Sequence, residues 1–154
     1  MADELLAKAL AAISRKDRTE REMRQWLADR EVEPEEIERV VAFLIENLAL
    51  DDRRFAFVYT SDKRELSGWG RDRIRETLLR RGIDRSLAEE ALSQPAVVGG
   101  EEETEVDRAV RVLNEKGADL SDDRGRQRAL GLLARRGYDA EEAYAAIRIA
   151  GRAA

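Results

Sequence analysis

Two arginine-rich stretches determine the fold: GWGRDRIRETLLRRG at residues 68–82 and RQRALGLLARRGYD at residues 126–139. Each contains a run of helix-forming residues that is closed by Arg-Arg-Gly, and a glycine at that position favours the left-handed conformation that closes a helix. The two stretches align with a shift of 55 positions, and a weaker copy at residues 23–32 aligns with a shift of 51. The chain therefore contains an internal repeat of roughly 50 residues.

A further helical segment lies on each side of every copy. The preceding segments lie near residues 3–14, 52–66 and 104–116. The following segments have apolar residues at helical spacing, and Pro34 suits the first turn of one of them. Their equivalent apolar pairs are Ile37 and Val41, Ala88 and Leu92, and Ala143 and Ile147. This pattern predicts a unit of three helices, similar to a helix-turn-helix module, that is used three times.

The predicted organisation is an all-α fold, an elongated, curved array of three tandem three-helix repeats. We place the repeats at residues 1–50, 51–94 and 106–154, and a linker at 95–105, where PAVVGGEEETE interrupts the helical pattern. A unit of this size has a small core, so neighbouring units should pack on one another. The helix that begins after Asp51 and Asp52 is expected to bury Phe55, Val58 and Tyr59.

The repeats differ at the end of the middle helix. Gly82 and Gly137 occupy that position in the second and third repeats, whereas the first repeat has Glu31. The apolar residue that follows is expected to pack back on the helix that it terminates.

Composition argues against an enzyme. The 154 residues include neither cysteine nor histidine, which removes disulfides, thiolate metal sites and the commonest general base. No phosphate-binding loop or nucleophile motif is visible. We therefore predict a protein without catalytic residues, metal or cofactor. Because no apolar run could span a membrane, no secretory signal is visible and the repeats need no second chain to complete their cores, we also predict a cytoplasmic monomer.

Charge is strongly segregated along the chain. The net charge of −5 divides into −6 for residues 1–52, +3 for 53–100, −6 for 101–123 and +4 for 124–154. The two positive blocks contain the arginine-rich helices, which could meet an anionic surface. The candidate contact residues are Arg71, Arg73, Arg75, Arg80, Arg81, Arg124, Arg126, Arg128, Arg135 and Arg136, with Trp69 as a candidate interface anchor.

These residues also have simpler interpretations. The arginines could be solvated helix faces whose charges match the helix dipole, and Trp69 is more typical of a core residue than of an interface. The middle helices lack the Asn, Gln and Ser residues expected on a helix that recognises bases. Sequence-specific DNA recognition is therefore disfavoured.

Residues 51–84, DDRRFAFVYTSDKRELSGWGRDRIRETLLRRGID, resemble the central part of the RecX family of regulatory proteins. Residues 13–52 resemble the first unit of that family, with its Arg-Thr, Glu-Met and Leu pattern. Residues 126–147 resemble its closing unit. The resemblance covers almost the whole chain, and its central motif is the most specific part.

The resemblance implies a non-catalytic regulator of the RecA recombinase. Members of this family are helical repeat proteins that dock in the groove of the RecA–single-stranded-DNA filament and suppress recombinase, ATPase and coprotease activities. Basic positions of the family motifs match Arg71, Arg73, Arg75, Arg80 and Arg81 in the second unit, and Arg126, Arg128, Arg135 and Arg136 in the third. Some of these arginines are expected to face the filament, with weak contact to single-stranded DNA.

Two alternative functions remain open at this point. A stand-alone helical DNA-binding module would bind naked DNA with a steep dependence on salt. A helical-repeat scaffold for another protein would leave RecA unaffected.

Overall fold

The computed structural model describes residues 2–153, which form nine helices and one short β-hairpin. The all-α prediction is confirmed. In chain order the elements are α1 Ala2–Arg15, α2 Glu20–Asp29, α3 Pro34–Glu46, α4 Asp52–Ser67, α5 Arg71–Arg80, α6 Arg85–Leu92, β1 Ala96–Val98, β2 Glu101–Glu103, α7 Glu105–Lys116, α8 Asp123–Arg136 and α9 Ala140–Ala153.

The helices form three tandem units, and each unit has its own hydrophobic core. The first core joins α1–α3 around Met23 and Leu27, the second joins α4–α6 around Ile74 and Leu78, and the third joins α7–α9 around Leu133. Within residues 2–153, every hydrogen bond and ion pair between units links sequence neighbours, so the units form a linear array. The curvature of the array and the exact unit boundaries stay predictions.

The segment predicted as a linker contains the hairpin. Strands β1 and β2 are antiparallel, with Ala96 opposite Glu103 and Val98 opposite Glu101. Gly99 and Gly100 supply the two-residue turn that such hairpins favour. Glutamate has low intrinsic β propensity, so the sequence of β2, which is three glutamates, did not indicate a strand.

The middle helix of each unit ends in the same way. Gly82 and Gly137 have φ angles of 98° and 99°, as the sequence predicted, and Glu31 adopts the left-handed conformation as well, with φ 61°. The next residue then donates its N–H back to the helix: Ile83 bonds the Leu78 carbonyl at 2.9 Å and Tyr138 bonds the Leu133 carbonyl at 3.0 Å. The repeat detected in the sequence is therefore also a repeat of backbone geometry.

Gly137 is expected to be intolerant of any side chain. A Cβ atom there would lie 2.5 Å from the Arg73 main-chain nitrogen, in addition to the strain of the left-handed backbone. We expect Gly137→Ala to lower the free energy of unfolding by about 2 kcal/mol or more, as measured by chemical denaturation followed by circular dichroism.

Gly117→Ala is the matched control. Gly117 has a similar left-handed backbone, with φ 62°, but its Cβ would meet no heavy atom within 4 Å. It should lose only the conformational cost, about 1 kcal/mol. Equal losses in the two variants would show that the contact with Arg73 has no energetic importance.

Candidate functional site

The first junction between units, α1–α3 against α4–α6, is built around Arg81. Its guanidinium donates to both carboxylate oxygens of Glu22, each at 2.9 Å, and the fully buried Thr19 donates its hydroxyl to the Arg81 carbonyl at 2.6 Å. The Glu20 N–H bonds the Asp52 carboxylate at 2.9 Å. Arg81, predicted as a contact residue, thus holds two units together.

The second junction, α4–α6 against α7–α9, uses three more of the predicted arginines. Arg71 pairs with Glu142 at 3.1 Å, Arg73 donates to the Arg135 carbonyl at 3.0 Å, and Arg136 donates to the Ser67 carbonyl at 2.7 Å. These partners lie 62 to 71 positions away along the chain. Much of the excess of arginine therefore holds the units together.

A buried ion cluster lies beside the second junction. Arg108, 1% exposed, pairs with Glu103 at 3.1 Å and with Glu105, and donates to the Trp69 carbonyl at 3.3 Å. Arg111 binds Glu103 at 2.8 Å. Sequence reasoning missed this cluster; its only visible sign is an acidic run directly before α7.

Within residues 2–153, the side chains of the remaining predicted arginines form no hydrogen bond or ion pair across either junction, although the Arg135 carbonyl accepts one from Arg73. Arg75 is neutralised by Asp72 and Glu89, and Arg126 bonds the Leu120 carbonyl and Asp123. Side chains that stay mainly in solvent belong to Arg80, Arg124, Arg128 and Arg135. Whether any of them contacts a partner stays a prediction.

One side of α4 carries Phe55 and Tyr59, which lie half-buried against the core of the second unit. Val58 is 49% exposed, so the prediction that it is buried is wrong, while Phe55 and Tyr59 are half-buried. The buried positions of α4 are Ala56, Thr60 and Arg64. The expectation was therefore wrong for Val58, whereas Phe55 and Tyr59 do pack against the core at its margin.

The aromatic rings are covered by cations and form a basic-aromatic strip. Phe55 stacks on Tyr59 with ring centroids 5.7 Å apart, and Tyr59 meets the edge of Trp69 at 6.4 Å. Arg81 lies over Phe55, Lys63 over Trp69 at 4.6 Å, and Arg73 over Trp69 at 3.9 Å. We define the strip as Phe55, Tyr59, Lys63, Trp69, Arg73 and Arg81. It runs from the first junction to the second.

A groove lies at each end of the strip. The first groove, about 220 Å³, borders Arg81, Phe55 and Tyr59, and its charged lining comprises Lys16, Arg18 and Arg54 together with Asp17, Asp51 and Asp62. The second, about 310 Å³, brings Arg73, Arg80 and Arg135 together beside Asp72 and Glu76. Both grooves therefore contain charges of both signs, an arrangement that complements a protein surface better than a uniformly anionic backbone.

The first junction should respond to acid through Glu22. Burial acts to raise the pKa of Glu22, but hydrogen bonds from Arg81 and from the Thr19 N–H outweigh it, so its pKa lies below the ordinary value of 4.5. Glu22 therefore stabilises the fold above that value, and the stabilisation is lost as the pH falls through the lowered pKa. We expect Glu22→Gln to be less stable than the parent in thermal melts at pH 7, and the deficit to shrink below about pH 4.5.

Glu20 is the control with the opposite sign. Burial, with a smaller effect of Asp52, raises the pKa of Glu20, so its ionised form is disfavoured in the folded protein. Glu20→Gln should not destabilise at pH 7, and any gain should vanish in acid. A deficit in Glu22→Gln that is independent of pH would contradict this account.

The comparisons with known proteins identify the family. A model of the second three-helix domain of RecX matches residues 51–92, and a model of the first matches residues 6–44. A curated relative from Halorhodospira halophila, "Regulatory protein RecX", is 34% identical over 143 residues, which cover 90% of this chain and 83% of the relative. The chain belongs to the RecX family.

Other RecX proteins agree with this assignment. The regulatory protein RecX of Serratia proteamaculans is 31% identical over 113 residues, 59% of this chain and 67% of that protein. For some other relatives the matched part is shorter, 39% of the protein from Clostridium perfringens strain 13. The crystal structure of RecX from Lactobacillus salivarius superposes with a TM-score of 0.78 over 98% of this chain, at 21% identity, and confirms the fold.

The basic-aromatic strip lies wholly within the part matched by the second RecX domain. Among residues 2–153, no helix is both long and apolar enough to cross a membrane. The RecX relatives are named as regulatory proteins, which places this chain in a family of regulators.

Proposed function

We propose that this protein is a non-catalytic regulator that binds the RecA–single-stranded-DNA filament in its helical groove and inhibits the recombinase, ATPase and coprotease activities of RecA. Membership of the RecX family supports this proposal. The protein would act as a monomer in the cytoplasm, where the RecA filament assembles, and would need neither metal nor cofactor.

The observation that supports a filament partner most directly is the basic-aromatic strip between its two grooves. Tyr, Trp and Arg are the residues enriched at the energetic centres of protein interfaces, and here they share one surface at the middle of the array. The linear arrangement of units spreads the two grooves along the chain, which suits contact with successive protomers of a filament.

The mixed charges of the grooves also favour protein over DNA. A module that bound DNA alone would present mainly cations to the phosphates, whereas Asp17, Asp51 and Asp62 line the first groove. The aromatic rings of Tyr59 and Trp69 could stack with bases, so binding of naked single-stranded DNA is the rival to be tested.

The test is RecA ATP hydrolysis on single-stranded DNA, measured with increasing amounts of this protein and with RecA from the same organism. Inhibition well below one protein per RecA, without binding to naked DNA at the same salt, is the expected result. Unchanged hydrolysis would refute a RecA regulator. Binding to naked DNA with a steep salt slope, roughly 0.7 per neutralised phosphate, would instead favour the DNA-binding module.

A further inference from the structure

A pocket separate from both grooves lies on the side of α4 opposite the strip and has the features of a ligand site. It lies between α4, the C-terminal end of α6 and the hairpin, and its volume is about 250 Å³. Its apolar walls come from Phe57, Ala91, Pro95, Val97 and Val98. Apolar walls around a few polar groups are typical of small-molecule sites.

The two most deeply buried polar side chains of α4 in this pocket are Thr60 and Arg64, one helical turn apart. Thr60 is 2% exposed and Arg64 is 9% exposed. Neither the Thr60 hydroxyl nor Arg64 Nε has a hydrogen-bond partner among residues 2–153. A buried polar atom without a partner costs about 1–3 kcal/mol, so two such atoms in one pocket call for an explanation.

Arg64 is also a buried cation without a counter-ion. Its terminal nitrogens donate to the carbonyls of Leu92 at 2.8 Å and Gln94 at 2.9 Å, but no carboxylate of the described chain lies within 4.0 Å of its guanidinium. Burial lowers the pKa of Arg64, and the like charge of Arg108 lowers it further. The neighbouring Arg108 and Arg111 are each paired directly with Glu103, whereas Glu105 and Glu103 attract Arg64 only from beyond 4.0 Å.

We propose that this pocket binds a small monocarboxylate, whose oxygen atoms accept hydrogen bonds from Arg64 Nε and the Thr60 hydroxyl once the side chains that shield these two buried atoms move aside. The planar carboxylate suits two donors that project from the same face of a helix. A short aliphatic or aromatic body fills the space between Phe57, Pro95 and the valines of β1. Glu65 and Glu103 also border the pocket. Their charge opposes any anion, and it opposes phosphate and dicarboxylates more strongly than a single carboxylate.

The carboxylate could belong to a free metabolite or to the terminus of a peptide chain, since both offer the same chemistry. The site is separate from the basic-aromatic strip, and its test does not involve RecA. Failure of one proposal therefore leaves the other intact.

The experiment is a titration of the whole protein with sodium butyrate and sodium benzoate, followed by two-dimensional NMR of the backbone amides. We expect saturable shifts of Ser61, Ala91 and Val97 with a Kd in the millimolar range, as suits so small a ligand. Butyramide, which has nearly the same shape but no charge, should bind at least tenfold more weakly. A short peptide with a free C-terminus, compared with its amidated form, distinguishes a chain terminus from a free acid.

Two variants test the donors. Thr60→Val preserves the shape of the side chain and removes the hydroxyl, so it should fold normally and weaken butyrate binding about tenfold. Arg64→Met should abolish binding, although it also removes the hydrogen bonds to the end of α6. Shifts that do not saturate, equal binding of butyrate and butyramide, or undiminished binding by a folded Thr60→Val variant would each overturn the proposal.

Discussion

The double substitution Arg54→Glu and Val58→Glu is expected to raise the concentration of this protein that half-inhibits RecA ATP hydrolysis by about a hundredfold. Both side chains are exposed, and both line the first groove beside Phe55 and Tyr59. The changes reverse one charge and place another on apolar surface that the proposed interface would bury, where an unpaired charge is costly. The half-inhibiting concentration in the ATPase assay is the measurement.

The matched control is Arg85→Glu with Ile149→Glu. It makes the same change in net charge at exposed positions, and Ile149 is 46% exposed, close to the value for Val58. Neither residue borders the strip or its grooves. Inhibition should be preserved in the control, and both proteins should retain their helical circular dichroism. Equal loss in both proteins would mean that net charge, and not the groove, determines inhibition.

Arg108→Met is expected to lower the free energy of unfolding by roughly 3 kcal/mol. Methionine fills most of the volume, but Glu103 and Glu105, whose side chains are 8% and 13% exposed, lose the guanidinium that lies between them. Arg111 and Arg71 still pair with these carboxylates, which holds the loss at the lower end of the range for broken buried pairs. Chemical denaturation, followed by the fluorescence of the nearby Trp69, measures the change.

The control for this substitution is Arg128→Met on α8. Arg128 lies in solvent, so its removal should change stability by less than about 0.5 kcal/mol. If Arg108→Met were as mild as Arg128→Met, the buried cluster would contribute nothing net to the second junction.

The architecture was predictable because it depends on local signals. Leu27, Leu78 and Leu133 recur at equivalent positions, and Gly82 and Gly137 mark helix ends, so periodicity alone indicated three helical units. Glu31 was placed at the equivalent helix end but was expected to depart from the glycine pattern, because the left-handed conformation that it adopts is unfavourable for a residue with a Cβ.

The roles of the arginines were not predictable from the sequence. Arg81 pairs with Glu22 across 59 positions and Arg71 with Glu142 across 71, and no local pattern identifies partners at such distances. The same limit applies to Arg64, which has the spacing of a solvated helix residue but points toward α6. Sequence reasoning identified the helices that contain the cations correctly, but gave no means of separating structural arginines from exposed ones.

The two junctions differ in mechanical character. Main-chain hydrogen bonds from Gly70 to the Arg136 carbonyl, at 2.7 Å, and from Asp72 to the Gly137 carbonyl, at 3.1 Å, join the second and third units. Within residues 2–153, every hydrogen bond across the first junction includes a side chain. The second and third units should therefore move together as one rigid body. The first unit should rotate more readily, because its hydrogen bonds at the first junction all depend on side chains. Rotation of the first unit would let it follow changes in the pitch of a helical filament while the second and third units stay bound.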